Sequence, residues 1–210
     1  MISTPRGASA PQRWLARAAV ALAAVALLAI PAPAMAHHLM ELTHGTPTAW
    51  TGLLSGLAHP VLGPDHLLFL CSLSLVGLKQ RSSWMLALLL TGLLGSGLGL
   101  LTPGLPGAEA AVAFSLVVVA MVWLDHWPKL LLLPAIGLHG YVLSATVLGW
   151  NQAPLAFYGL GLLISQAALL LVSLTVLRSL ADALSPQRRS LLCAALIGCG
   201  AAWTWSALVA

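Results

Sequence analysis

The chain has 210 residues, of which 60% are hydrophobic and 7% charged, and its formal net charge is +4. A soluble domain usually carries about 25% charged residues, so this composition excludes a water-soluble globular protein and indicates a membrane protein. The nine Lys and Arg residues form no basic face interleaved with aromatic side chains, and we therefore expect no nucleic-acid partner.

Residues 1–36 are predicted to be a cleavable signal peptide. Three arginines give the first 17 residues a positive charge, the apolar stretch 18–30 is too short to span a bilayer, and Ala34-Met35-Ala36 has the small-x-small pattern of a cleavage site. Cleavage there would leave His37 at the mature N-terminus. The alternative is an uncleaved N-terminal anchor.

A histidine-containing segment, residues 37–49, precedes the first apolar run and is predicted to lie in the periplasm. His37 and His38 are joined by His44 and Glu41. A terminal His37 could chelate a metal ion through its amine and its ring. Two interpretations stay open, an arm that captures metal ions and a disordered tail.

Six apolar segments follow, and they predict an all-α membrane protein with one six-helix transmembrane domain over residues 50–210. The runs show no alternation of polar and apolar residues and exceed the roughly 10 residues of a barrel strand. Gly95-Ser96-Gly97-Leu98-Gly99 gives the second run a small-residue face for close helix packing. The predicted spans are Trp50–Leu78, Trp84–Leu101, Ala108–Leu124, Leu130–Gly149, Pro154–Leu177 and Ser190–Val209.

The loop cations predict the orientation of these spans. They follow the first, third and fifth spans, and the two intervening connections, 102–107 and 151–153, contain none. By the positive-inside rule we expect a bacterial inner-membrane protein whose mature N- and C-termini are both periplasmic. The cations concerned are Lys79, Arg81, Lys129, Arg178, Arg188 and Arg189.

The densest group of ionisable residues lies in the first span, where His59, Asp65 and His66 surround Pro60 and Pro64. The prolines each remove a backbone donor, and we expect the helix to be kinked or unwound there. Two imidazoles and a carboxylate suit a divalent nickel, cobalt, copper or zinc ion. The alternative is that the histidines are hydrogen-bonded packing residues.

Two further candidates lie in other spans. His139 is near the middle of the fourth span, where an unpaired imidazole is costly, which favours a functional role. Glu109 opens the third span, and its alternatives are a functional carboxylate or a charge stabilised by the helix dipole. Asp125 and His126 are expected in a solvated turn.

The stretch from His59 to His66 resembles the first-span HPxxGxDH motif of the HupE/UreJ family, and matches it at every fixed position. That resemblance implies a nickel or cobalt permease with a signal peptide and a small helical bundle. It assigns metal handling to His59, Asp65 and His66, to the acidic residue corresponding to Glu109, and to the His of the His139-Gly140 pair.

The chain departs from the family pattern in two places. A second His-Gly and a Glu are replaced by the run 141–145, and the fifth-span His of many members falls in a region that here reads Ala167-Ala168-Leu169-Leu170. The predicted ligand set is therefore reduced, which leaves the identity of the metal open.

We therefore expect a nickel or cobalt permease and not an enzyme, with the metal ion as substrate and no catalytic cofactor. No nucleotide-binding GxxxxGK motif, HExxH or GxSxG occurs, so transport would be facilitated or coupled to an ion gradient. The alternatives are a metal- or haem-binding assembly subunit without transport and a copper- or zinc-handling relative. Expected partners are the metal ion, the lipid bilayer and either further copies of the chain or metalloenzyme maturation proteins.

Overall fold

A computed structural model describes residues 47–76, 78 and 81–209, and its regular secondary structure in this part is entirely helical. The predicted signal peptide, with His37 and His38, lies outside the described residues. The α-helices are α1 (Ala49–Leu62), α2 (Pro64–Ser72), α3 (Arg81–Leu101), α4 (Ala108–Trp123), α5 (Leu132–Leu143), α6 (Gln152–Val172), α7 (Arg178–Asp182) and α8 (Pro186–Val209).

Shorter helical turns extend several of these elements. Three are 3-10 turns, and the fourth is a π-helical turn between α6 and α7. They comprise Leu73–Leu75, Lys129–Leu131, Ser144–Val147 and the π turn Ser173–Leu177.

Four stretches of the described chain are long and apolar enough to cross a bilayer, which agrees with the predicted second, fourth, fifth and sixth spans. They are Arg81–Leu101, Lys129–Val147, Gln152–Asp182 and Pro186–Val209. The other two predicted spans contain shorter apolar helices, Pro64–Leu75 and Ala108–Trp123. The all-helical membrane architecture is confirmed, while the count of six spans stays a prediction.

The predicted break in the first span is confirmed. Thr48 caps α1, because its hydroxyl accepts a hydrogen bond from the Thr51 amide and the Thr51 hydroxyl accepts one from the Thr48 amide. The helix ends at Leu62, Gly63 is extended, and Pro64 occupies the first position of α2, where proline loses no hydrogen bond. The break therefore sets the direction of α2 independently of α1.

Glycines allow two pairs of helices to touch backbone to backbone. A Cβ atom added to Gly56 in α1 would lie 2.1 Å from the Tyr158 carbonyl oxygen in α6. One added to Gly95 in α3 would lie 2.0 Å from the Gly137 carbonyl oxygen in α5. The predicted small-residue face of the second span thus packs on α5, whereas Gly97 faces open space.

A third pair, α4 and α8, completes the bundle. Gly200 of α8 approaches α4, where an added Cβ would lie 2.9 Å from a Val117 methyl group. Large apolar side chains fill the interior, while outward leucines such as Leu94 and Leu101 are 73% and 81% exposed, as a lipid-facing surface requires. Fully buried core residues include Phe69, Leu73, Leu88, Leu116, Leu132, Ile136 and Leu170.

The six-span topology predicts the side of the membrane on which each loop lies. Reporter fusions after Arg81, Lys129 and Arg188 should be cytoplasmic, because the loop cations are on that side. Fusions at Gly104 and Asn151 should be periplasmic. Paired alkaline phosphatase and green fluorescent protein fusions measure the side on which each loop lies. The six-span topology is wrong if both sets of fusions report the same side.

Candidate metal site

The site is built around a buried carboxylate–imidazole pair at the start of α2. Asp65 lies in the first turn, where the helix dipole favours its negative charge. Its Oδ1 accepts hydrogen bonds from the His66 backbone amide at 2.9 Å and from His66 Nδ1 at 2.8 Å. Because a carboxylate only accepts, Nδ1 carries a proton, and in the neutral form of the ring Nε2 then holds the lone pair.

His139 reaches this pair from α5. Its ring meets the His66 ring edge to face, with centroids 4.6 Å apart, and stacks on the Phe69 ring at 4.4 Å. Its Nε2 is hydrogen-bonded to the Ser115 hydroxyl of α4 at 2.8 Å. Three separate helices, α2, α4 and α5, thus fix the position of the His66–His139 pair.

His59 is a further neighbour of His66, and the centroids of their rings are 6.2 Å apart. Its Nδ1 is 3.0 Å from the Tyr158 hydroxyl of α6, which itself donates to the Leu143 carbonyl oxygen at 2.6 Å. The phenol has one proton, so His59 Nδ1 is the donor in the first of these bonds. Tyr158 therefore fixes both the orientation and the tautomer of His59.

The structure brings four of the five predicted intramembrane residues together: His59, Asp65, His66 and His139, each at most 8% exposed. Glu109 is half-buried in the first turn of α4, six residues before Ser115 and so about 9 Å away along the helix axis. It lies on the predicted periplasmic side of His139. Sequence spacing alone placed only the α1–α2 residues near one another.

Within the described residues, no group of three or more His, Cys, Asp or Glu side chains is arranged to hold a metal ion. The Asp65 carboxylate is hydrogen-bonded to His66 Nδ1. It therefore orients the His66 ring and adds no metal ligand beside Nε2, on the far side of that ring. The assignment of these side chains to a metal stays a prediction.

Two ring nitrogens of this cluster are buried and have no hydrogen-bond partner among the residues that the structure describes, His66 Nε2 and His139 Nδ1. Leaving such an atom unsatisfied in a bilayer costs about 1–3 kcal/mol. When Ser115 accepts from His139 Nε2, both of the unpartnered nitrogens present lone pairs. The cluster then offers two imidazole donors, from α2 and α5, to an electrophile.

Sequence reasoning missed three polar residues in the interior of the bundle. Ser115, Tyr158 and Gln166 are each at most 2% exposed. Each is a polar residue within an apolar run, which is the signal that could have identified it. The exposed Asp125 and His126, by contrast, lie in a turn, as predicted.

A polar cavity of about 280 Å³ lies at the predicted cytoplasmic end of the bundle. Charged side chains of both signs line it: Asp125, Lys129, Arg178, Asp182 and Arg189. Arg178 Nε donates to both carboxylate oxygens of Asp182, at 2.9 and 3.0 Å. The cavity is therefore a mixed-charge, water-compatible vestibule beyond the apolar core.

The chain was compared with known protein families, curated proteins and solved structures. The family model described as HupE / UreJ protein matches residues 11–203. Neither the comparison with curated proteins nor that with solved structures gave a match. The family match covers nearly the whole chain, including the His59–His66 motif and His139. The chain is thus a membrane protein of the HupE/UreJ family, and this membership associates it with the handling of nickel or cobalt.

Proposed function

We propose that this protein is a permease that carries nickel or cobalt ions across the inner membrane. The observation that carries the proposal is the pair of buried ring nitrogens without partners, His66 Nε2 and His139 Nδ1, on two rings in contact. Imidazole suits first-row divalent ions, and a bound ion would satisfy both nitrogens at once.

The small number of donors favours transport over permanent binding. A resident structural ion takes a full ligand set, whereas conduction needs a site that binds strongly enough to strip part of the hydration shell and weakly enough to release the ion. Two imidazoles, oriented by Asp65 and Ser115, meet the second condition.

The proposed path runs from the periplasm to the cytoplasm. The segment with His37 and His38 would gather ions, and Glu109 and His59 would attract them into the bundle. The His66–His139 pair would hold the ion at the centre, and the mixed-charge cavity would receive it on the other side.

The geometry argues against haem ligation by His66 together with His139, and an absorbance spectrum tests the other pairing, His59 with His139. Haem ligation by His66 and His139 would place the porphyrin between their rings, but these rings touch edge to face. Phe69 stacks on the His139 ring and so covers one of its faces. The imidazole ligands are also compatible with a protein that handles copper or zinc. The uptake experiment below distinguishes that alternative from a nickel or cobalt permease.

Uptake into proteoliposomes tests the proposal. Vesicles containing the purified protein and a metal-sensitive fluorophore should fill saturably with nickel or cobalt, faster than protein-free vesicles. Zinc and copper are run in parallel, and an absorbance spectrum checks for haem. Stoichiometric nickel or cobalt binding without flux would instead identify a binding subunit, and preferential zinc or copper flux would reassign the substrate.

A further inference from the structure

Gln166 of α6 carries a third buried acceptor inside the bundle. It is 2% exposed, and its Oε1 has no hydrogen-bond partner within the described part of the chain. The residue lies well inside the apolar segment Gln152–Asp182, where no water is at hand to satisfy an amide. A buried amide oxygen without a partner lowers the stability of the protein, so we expect that something binds it.

This oxygen lies against α3 and α5, close to the helical turn of α5 that carries His139. It lies 2.9 Å from the point where a Cβ atom would stand on Gly92 of α3, and an Ile136 methylene carbon is 3.6 Å from the same point. Ile136 is one helical turn before His139, about 4.5 Å along α5. The carbonyl oxygen of Gly92 in turn touches Gly140. Gln166 Oε1 thus lies where α3, α5 and α6 meet, beside the turn that carries His139.

The unpartnered atoms differ in whether they accept or donate hydrogen bonds. His66 Nε2 and Gln166 Oε1 are acceptors, and His139 Nδ1 is one in the tautomer described above. Only one other buried side-chain atom in the described chain lacks a partner, Trp203 Nε1, which is a donor and cannot bind a cation. Three of these four buried atoms can therefore act as acceptors, as binding a cation would require.

We infer that Gln166 Oε1 is an oxygen donor to the divalent cation at the His66–His139 pair, and that it helps to set the preference among metals. This inference rests on the proposed function. An amide oxygen is a harder donor than imidazole and adds no charge, so it would shift the site away from copper and towards cobalt or nickel without trapping the ion. It would also supply an oxygen in place of one hydration water.

The test compares Gln166→Leu and Gln166→His with the wild type, and Trp203→Phe is the matched control. Detergent-purified protein is titrated with cobalt or nickel chloride while thermal unfolding is followed, and the same variants are assayed for uptake in proteoliposomes. Gln166→Leu should weaken cobalt binding about tenfold, the effect of losing roughly 1.4 kcal/mol. Its metal-free melting temperature should be unchanged or higher, because an unsatisfied amide has been removed.

Gln166→His should restore affinity and move the preference towards copper, and Trp203→Phe should leave binding unchanged. If Gln166→Leu binds and transports like the wild type, the inference is wrong while the permease stands. If it lowers the metal-free melting temperature and Gln166→His does not restore binding, the role is structural and the inference is again wrong. A wild type that binds cobalt without flux removes the permease but leaves the Gln166 comparison valid, and a wild type that binds neither metal overturns both.

Discussion

Metal uptake should fall to the background of protein-free vesicles when His66 is replaced by alanine. The imidazole supplies one of two unpartnered nitrogens at the centre of the bundle, and neither lipid nor the apolar neighbours can replace it as a ligand. The measurement is the initial rate of nickel or cobalt uptake, normalised to the folded protein in the membrane. His139→Ala should behave in the same way.

Asp65→Asn provides a graded variant of the same experiment. The amide oxygen still accepts from His66 Nδ1 but without the charge, so the ring is held less firmly. We expect uptake to fall about 10- to 100-fold, less than for the loss of the ring.

Cys71→Ala is the control for these variants. Cys71 lies on the same helix, α2, is half-buried and has a free thiol. Its replacement should leave uptake nearly unchanged. Equal rates for His66→Ala and Cys71→Ala at equal abundance would mean that the His59–His66 motif is structural in this protein, and the permease proposal would fail.

Gly140→Ala should destabilise the bundle by about 1–3 kcal/mol, the usual cost of overpacking. The added Cβ would lie 1.9 Å from the Gly92 carbonyl oxygen, so α3 and α5 would have to move apart by more than an ångström. His139 precedes Gly140, so this movement would also displace its ring relative to His66. Thermal unfolding in detergent and uptake by the folded fraction measure the two effects.

Gly97→Ala is the matched control in α3. Apart from its own helix backbone and chain neighbours, no described atom lies within 4 Å of the position that its Cβ would take, and alanine has the higher helix propensity. The melting temperature should stay the same or rise slightly. Equal destabilisation by both substitutions would contradict the close packing of α3 on α5.

The sequence predicted best what neighbouring residues determine. Pro60, Gly63 and Pro64 act on their own backbone, so the break between α1 and α2 followed from local chemistry. The contact of His66 with His139 joins residues 73 positions apart, and no spacing rule places them together. The family resemblance implied that both handle metal, but their edge-to-face geometry needed the fold.

The third span was predicted to within one residue, whereas the burial of Gln166 escaped prediction. The predicted span ends at Leu124, and α4 ends at Trp123, just before the chain turns at Asp125 with φ of 57°. Gln166 was visible as a polar residue in an apolar run. Its burial depends on which way α6 faces, and a nearly all-apolar helix gives no such signal.

The π turn Ser173–Leu177 has a consequence for the end of the bundle that is predicted to be cytoplasmic. A π turn accommodates one residue more than an α turn, and each residue of an α-helix advances the helix by about 100°. The extra residue therefore rotates everything beyond it by roughly that angle, and brings Arg178 round to the polar cavity. A chain one residue shorter at this point would continue α6 as an unbroken α-helix, with the guanidinium group of Arg178 turned away from the cavity and the ion pair with Asp182 carried to another face of the bundle.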